Sequence, residues 1–404
     1  MKTISNNILL DKLKTHLLRK GYSLNMLKEN FPIRIGTTTI VFDLIVVDNQ
    51  EPVEIYEIRH KLDDISSTRN YIKLKAQKGL LSKIPAFIAY IKGNGHLCLL
   101  PMQNKIKSFQ EFYATLMLYT ETCADEYLYF YRGHNDTSYS FYPSIYRDDN
   151  KTKGISNEDT MFNDAIRYCP NDFTNSMTSF EKLVKMQHYE LPTRLLDITT
   201  NPLVALYFAC TNNNRKDGEV VIFKVRKDTI KYFNSDIVSI ISNIAKRPKD
   251  FKIDTTLTKE AFNQQTAVQY LLHDIKQEKP YFQHIINPDD LNKVVCVLPK
   301  LDNPRIVRQS GAFFLFGINK HKTIPANFEY APKRIIIDHS VKLKILQELK
   351  NIGIDHATLF PEIDNIMKKI KEQKYYGRLI KDMISFVIHH LKNIQQINHP
   401  ILKQ

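Results

Sequence analysis

Two groups of polar residues in this chain have the types and spacing for chemistry on phosphate esters. The first is Asp43, inside the apolar run Thr39-Ile-Val-Phe-Asp-Leu-Ile-Val-Val47, together with Glu57 and Arg59 in Val53-Glu-Ile-Tyr-Glu-Ile-Arg59. Side chains two apart on a strand share a face, so Glu57 and Arg59 point the same way and a Mg²⁺ ion fits between Asp43 and Glu57. Two carboxylates on a divalent ion, with a cation beside them, are what phosphodiester hydrolysis requires. Arg59 keeps its charge at any working pH, so it can stabilise a pentacovalent phosphate but cannot accept a proton. The plainer alternative is a strand-flanking Asp43 and a surface pair of Glu57 with Arg59.

The second group is spread along the rest of the chain. Tyr127-Leu-Tyr-Phe-Tyr-Arg-Gly-His134 reads as an aromatic strand whose end places the Arg132 guanidinium at a sheet edge, while Gly133 permits close approach of a ligand or an unusual turn. In Met186-Gln-His-Tyr-Glu-Leu-Pro-Thr-Arg-Leu-Leu-Asp-Ile-Thr-Thr-Asn-Pro202, the polar residues His188, Thr193, Arg194, Asp197 and Thr199 fall in a segment read as a loop leading to a helix. Asn201 is a good N-cap and Pro202 suits the first helical position, so free N–H groups and a positive dipole end stand beside that loop, ready for phosphate. Later, Arg308-Gln309-Ser310-Gly311 reads as a strand end that could face either a ligand or a neighbouring loop, with an amide that hydrogen-bonds but carries no charge. The plainer alternatives are a buried Arg132–Asp197 pair and a hydrogen-bonded His188 with no role as a base.

These residues need a scaffold, and the composition supplies one. The chain has 404 residues, 43% of them hydrophobic and 25% charged, with 12 Gly and 17 Pro, which is the balance of folded globular protein. One core rarely organises more than about 300 residues, so two domains are expected. The formal charge of +14 favours polyanionic partners, DNA or RNA among them. Basic clusters at Arg69–Lys83 and Lys368–Lys374 read as solvated helix faces or nucleic-acid contacts. Five scattered cysteines form no Cys-x-x-Cys pair, and reduced thiols are expected. The first 18 residues are interrupted by Asp11 and lysines, and no run of about 20 apolar residues occurs, so a cytoplasmic protein with no membrane span is expected.

Periodicity places the elements. Leu9, Leu10, Leu13, Leu17 and Leu18 form one face of a helix; two strands follow, then a lysine-rich helix over Asn70–Leu81 and a strand over Ala86–Ile91, in the order α-β-β-α-β. A break near Pro101 precedes a helix over Lys105–Ala124. Glu219–Val225 reads as a buried strand, and Tyr375–Gln404 as an amphipathic helical tail suited to packing or to a homodimer.

The order of Asp43, Glu57 and Arg59 on this pattern resembles the restriction-endonuclease-like PD-(D/E)xK family, with Arg59 in place of its lysine. Tyr131-Arg132-Gly133, Pro143-Ser144, Arg147, Gln187-His188, Leu191-Pro-Thr-Arg-Leu-Leu-Asp197, Asn201-Pro-Leu-Val-Ala-Leu-Tyr-Phe-Ala209, Gln309-Ser-Gly311, Gly353-Ile354 and Leu359-Phe360-Pro361 resemble the FRG domain, with Glu190 where that family has glycine. More distantly, Arg132 and the Asp197-to-Ala209 segment are similar to the strand-end arginine and ribose-facing elements of ADP-ribosyltransferases. These resemblances imply an α/β and α+β protein of three parts. Residues 1–103 would be restriction-endonuclease-like, 104–374 an FRG domain with a mixed, ADP-ribosyltransferase-like sheet and flanking helices, and 375–404 a tail. They imply a nucleotide ligand such as NAD, with Arg132, His188, Asp197 and Gln309 in catalytic roles. Gly133, Thr193, Arg194, Thr199 and Asn201 would bind the ligand, and Asp43 and Glu57 would hold Mg²⁺ beside Arg59. Coupling of the two domains suits a bacterial antiviral device. A nuclease regulated by the FRG part, and a non-catalytic interaction protein, remain as alternatives.

Overall fold

The computed structural model describes residues 6–20, 22–35, 38–48, 51–58, 86–91, 97–101, 105–120, 126–147, 154–212, 214–330, 332–363, 367, 370 and 371. Arg59, the expected helix over 70–81 with its basic cluster, most of residues 368–374 and the tail over 375–404 lie outside the described residues. The protein is mixed α/β, with helices packed on mixed sheets.

The first sheet has the order β1-β2-β3-β4-β5, formed by β1 (Leu27–Ile35), β2 (Thr38–Asp48), β3 (Glu51–Ile58), β4 (Ala86–Ile91) and β5 (Leu97–Pro101). Neighbours are antiparallel except β3 with β4, which are parallel. The helix Asn6–Arg19 lays Leu9, Leu13 and Leu17 on Leu44, Val46, Tyr56 and Ala89, so its apolar stripe makes the core of this unit. The α-β-β-α-β reading missed β1 and β5. Pro32 and a left-handed Asn30 (φ 47°) break the usual strand signals in β1, and both are tolerated because it is an edge strand.

The second sheet has the order β14-β8-β6-β7-β11-β10-β9. Its strands are β6 (Tyr127–His134), β7 (Leu195–Thr199), β8 (Gly218–Arg226), β9 (Lys231–Tyr232), β10 (Val294–Leu298), β11 (Gly311–Phe316) and β14 (Lys333–Ile337), while β12 (Ile318–Asn319) and β13 (His321–Pro325) form a separate hairpin. All neighbours are antiparallel except β9 with β10. The helices Phe109–Thr120, Pro202–Cys210 and Lys342–Asn351 cover one face over Val220, Ile222 and Ile335. The opposite face of the central strands carries an aromatic cluster of Phe130, Phe141, Phe223, Phe314 and Phe328. Five further helices between Glu158 and Glu278 gather around Leu195, Phe313 and Leu315.

Two sequence expectations are corrected here. Within the segment read as a loop, His188 ends a helix and Leu195–Thr199 form β7, a central strand: Leu195, Leu196 and Ile198 are buried and need ladder partners for their backbone. Gln309 is the last residue of the helix Pro304–Gln309, followed by a left-handed Ser310, and is not part of a strand. No helix among the described residues is long and apolar enough to cross a membrane.

The helix Ser179–His188 ends with Leu191 N–H on the Met186 carbonyl and Glu190 N–H on that of Gln187, a Schellman closure that puts Glu190 at φ 65°. A side chain with a Cβ is strained in that conformation. Glu190→Gly is therefore expected to stabilise the protein by about 1 kcal/mol, read as a rise in the thermal unfolding midpoint; a fall would show that the glutamate stabilises the turn in another way.

Candidate functional site

β6 and β7 pair at a single register point, Tyr131 with Thr199, and part beyond it. A cavity of about 190 Å³ opens where they separate. Its walls come from Tyr131, Arg132 and Gly133 on β6, Asp197, Ile198 and Thr199 on β7, and Gln187 and His188 at the end of one helix. Val204 and Phe208, from the side of the next helix, and Arg305 and Gln309 complete it. Chain segments far apart in sequence thus converge on one small polar space.

Arg132 crosses the opening. Its Nη1 donates to the Asp197 carbonyl and lies 3.8 Å from the Asp197 carboxylate, and its Nε donates to His134 Nε2 at 2.9 Å. Its side chain is 16% exposed, and Nη2 has no partner among the described residues. Burial lowers the proton affinity of the guanidinium and Asp197 opposes that shift, so Arg132 remains a cation at neutral pH.

Arg305 is the second guanidinium. Its Nη1 donates to the His188 carbonyl at 2.9 Å, its plane lies 4.6 Å from the centre of the Phe360 ring, and its buried Nε has no partner. Sequence reasoning missed it; the signal that could have found it is Asn303-Pro304, an N-cap and helix-start pair like Asn201-Pro202. Asn303 Oδ1 caps that helix on Arg305 N–H, which fixes the amide so that Nδ2 donates to His188 Nδ1. His188 then carries its proton on Nε2 and acts as a donor. Burial and Arg305 hold its pKa below the usual histidine value, so it is neutral at neutral pH.

Asp197 is half exposed and accepts from Gln187 Nε2 at 2.9 Å, while Gln187 Oε1 accepts from Thr193 at 2.7 Å. Thr193 therefore acts through Gln187, and is itself buried. Thr199 donates to the Gln309 carbonyl at 2.6 Å and accepts from Asn201 N–H, so its hydroxyl is committed to backbone. Gln309 donates to the Leu359 carbonyl at 3.1 Å, which leaves its Oε1 as an acceptor and draws Leu359 and Phe360 against the cavity wall.

Two further expected ligand contacts, Arg194 and Asn201, lie outside the cavity wall. Arg194 is fully buried away from the cavity: Nε and Nη2 fork Glu158, Nη1 donates to the Phe316 carbonyl at 3.1 Å, and Lys322 lies 3.3 Å from the same carboxylate. Burial works to raise the Glu158 pKa, but Arg194 and Lys322 outweigh it and hold the carboxyl below its usual range. Asn201 caps its helix on Leu203 N–H and does not line the cavity, because the helix turns its side, not its end, toward the space. Gly133 lets backbone approach backbone: a Cβ there would stand 1.9 Å from the Ala205 carbonyl oxygen.

In the first sheet, the β2–β3 register continued one pair past Leu44 and Tyr56 sets Asp43 opposite Glu57. Asp43 Oδ2 accepts from Ile58 N–H at 2.7 Å, and Glu57 is buried.

Residues 127–218 match the family model of the FRG domain. The chain carries an FRG domain. The matched stretch supplies β6, β7 and the Pro202–Cys210 helix, and with them most of the cavity wall. No curated protein and no solved structure matches the chain.

Arg194 in this FRG domain joins the Glu158–Tyr168 helix to the sheet. Arg194→Met is expected to lower stability by about 3–5 kcal/mol, because Glu158 loses its fork inside the protein. Chemical denaturation measures this, and a loss below about 1 kcal/mol would show that Lys322 alone satisfies Glu158.

Proposed function

We propose that the FRG-domain cavity binds a phosphate-bearing nucleotide such as NAD or ADP-ribose. The observation that carries this is the convergence of Arg132 and Arg305, from elements distant in sequence, on one cavity, each with guanidinium N–H groups left unpaired among the described residues. Buried cations with spare donors are suited to phosphate oxygens. His188 Nε2–H adds a neutral donor, Gln309 Oε1 an acceptor for a sugar hydroxyl, and Tyr131 and Phe208 apolar surface for a ring. Pockets for whole drug-sized ligands span roughly 300–1,000 Å³. The smaller cavity here therefore suits one sugar with its phosphate, the rest of a dinucleotide lying across the mouth.

Transfer of ADP-ribose from NAD, in which the bond from ribose C1 to nicotinamide breaks, nicotinamide leaves and C1 bonds to an acceptor nucleophile, is the finer form of this reading. Asp197 is the carboxylate of the cavity wall, and it would stabilise positive charge developing on a ribose, the role that the uncharged Gln309 cannot fill. Gln187 and Thr193 would hold Asp197 in position. Titration calorimetry with ADP-ribose and NAD is expected to show binding that weakens at least about tenfold in Arg132→Ala and Arg305→Ala. Absence of heat with the unaltered protein, for both ligands, overturns the reading. With binding intact, Asp197→Asn is expected to abolish label transfer from NAD.

A second activity is supported by Asp43 standing across from Glu57, an arrangement suited to one Mg²⁺ and to a nucleic-acid phosphate. The +14 charge favours such a partner. Mg²⁺-dependent cutting of DNA or RNA that disappears in Asp43→Ala is the expected result. Failure to bind any nucleic acid at low salt sinks it.

A further inference from the structure

Beneath Arg132 runs a line of ionisable groups that leaves the FRG domain and ends in the first sheet. Arg132 Nε donates to His134 Nε2 at 2.9 Å, so His134 carries its proton on Nδ1, which meets Glu219 Oε1 at 3.0 Å. The other Glu219 oxygen takes Arg334 Nη2, and Arg334 Nη1 lies 3.2 Å from Glu54 on β3. The Tyr56 hydroxyl donates to Glu54 in turn. Glu54, Arg334, Glu219 and His134 are each at most 2% exposed. The register explains the alignment: Arg132 and Arg334 both pair with Val221, and His134 pairs with Glu219, so all four side chains rise from the same face of β6, β8 and β14. Lys20 Nζ on the Thr137 carbonyl and Tyr142 on that of Leu18, both at 2.7 Å, join the two sheet units around this line.

We propose that Glu54 of the N-terminal unit, through Arg334, Glu219 and the positioning residue His134, sets the orientation of the cavity guanidinium of Arg132. Apolar packing would join two units as firmly, since buried ion pairs seldom outdo it in stability; what charges add is directional geometry. Arg334 divides its two outer nitrogens between Glu54 and Glu219. Without the Glu54 charge, the guanidinium of Arg334 shifts toward Glu219, whose hold on His134 then loosens, and Arg132 keeps only the Asp197 carbonyl of the two acceptors that fix its plane. Burial keeps the His134 pKa down near 4, so the ring stays neutral and able to accept from Arg132.

The functional meaning rests on the reading of the cavity as a nucleotide site, and the test separates the two. In the full-length ¹⁵N-labelled protein, solvent exchange of the Arg132 Nε–H is expected to be slow. It is expected to quicken roughly tenfold in His134→Phe, which keeps the ring but not the hydrogen bonds. His134→Gln restores slow exchange, because its amide can accept from Arg132 while donating to Glu219. Glu54→Gln is expected to quicken exchange several-fold, and the milder Tyr56→Phe to do so less, with thermal unfolding confirming that each variant is folded. Unchanged exchange in both Glu54→Gln and Tyr56→Phe overturns the coupling, as does fast exchange in the unaltered protein. ADP-ribose affinity is expected to fall in parallel, about fivefold in Glu54→Gln. Should the unaltered protein bind no ADP-ribose, the nucleotide reading fails while the exchange rates still decide the coupling.

Discussion

The candidate site exists because two neighbouring strands stop pairing. Past Tyr131 and Thr199, β6 and β7 exchange no ladder hydrogen bonds, so their backbone polar groups face a gap instead of each other. Such groups need other partners. Arg132 supplies one for the Asp197 carbonyl, and Thr199 ties the near edge to the Gln309 carbonyl. The gap stays open because the Pro202–Cys210 helix is pressed against β6 at Gly133 and against β8 at Gly218, where a Cβ would meet the helix backbone at 1.9 and 2.1 Å. The helix can sit that low only where side chains are missing, and its Val204 and Phe208 then form one wall of the cavity.

Arginines in this protein show how burial sorts one residue type into different tasks. Arg194 and Arg334 are sealed, and each is held by carboxylates at two of its nitrogens, so their charge is consumed inside the protein. Arg132 and Arg305 are also largely buried, but their hydrogen bonds run to a histidine and backbone carbonyls, with the nearest carboxylates, Asp197 and Glu362, held off at 3.8 and 3.9 Å, so their charge is only partly cancelled. A cation left uncancelled beside a cavity attracts an anion most strongly where water is scarce. Asp197, steadied by Gln187, lies close enough to temper that field without sealing the opening.

The blocks that marked the FRG domain were legible in the chain. The helix start at Asn201-Pro202 and the strands β6 and β8 were also legible, because each is set by local backbone chemistry or by runs of residues near in sequence. Arg132, Gly133, His188, Asp197, Thr199 and Gln309 do line one cavity. Sequence went astray at β7, read as a loop from its polar residues, because burial on both faces of a central strand depends on what packs there. It also made Arg194 a ligand contact, since nothing in Thr-Arg-Leu-Leu-Asp reveals that Glu158 waits beneath the sheet.

The sequence alone determined the family of the central segment, the α/β class and the chemical types available for a site, since these follow from local pattern and residue identity. Which arginines keep unpaired N–H groups beside the cavity, which nitrogen of His188 holds the proton, and the line from Glu54 to Arg132 were decided only by the tertiary structure. Each depends on a partner brought from a distant part of the chain, and a charge inside a protein takes its function from the group that folding sets beside it.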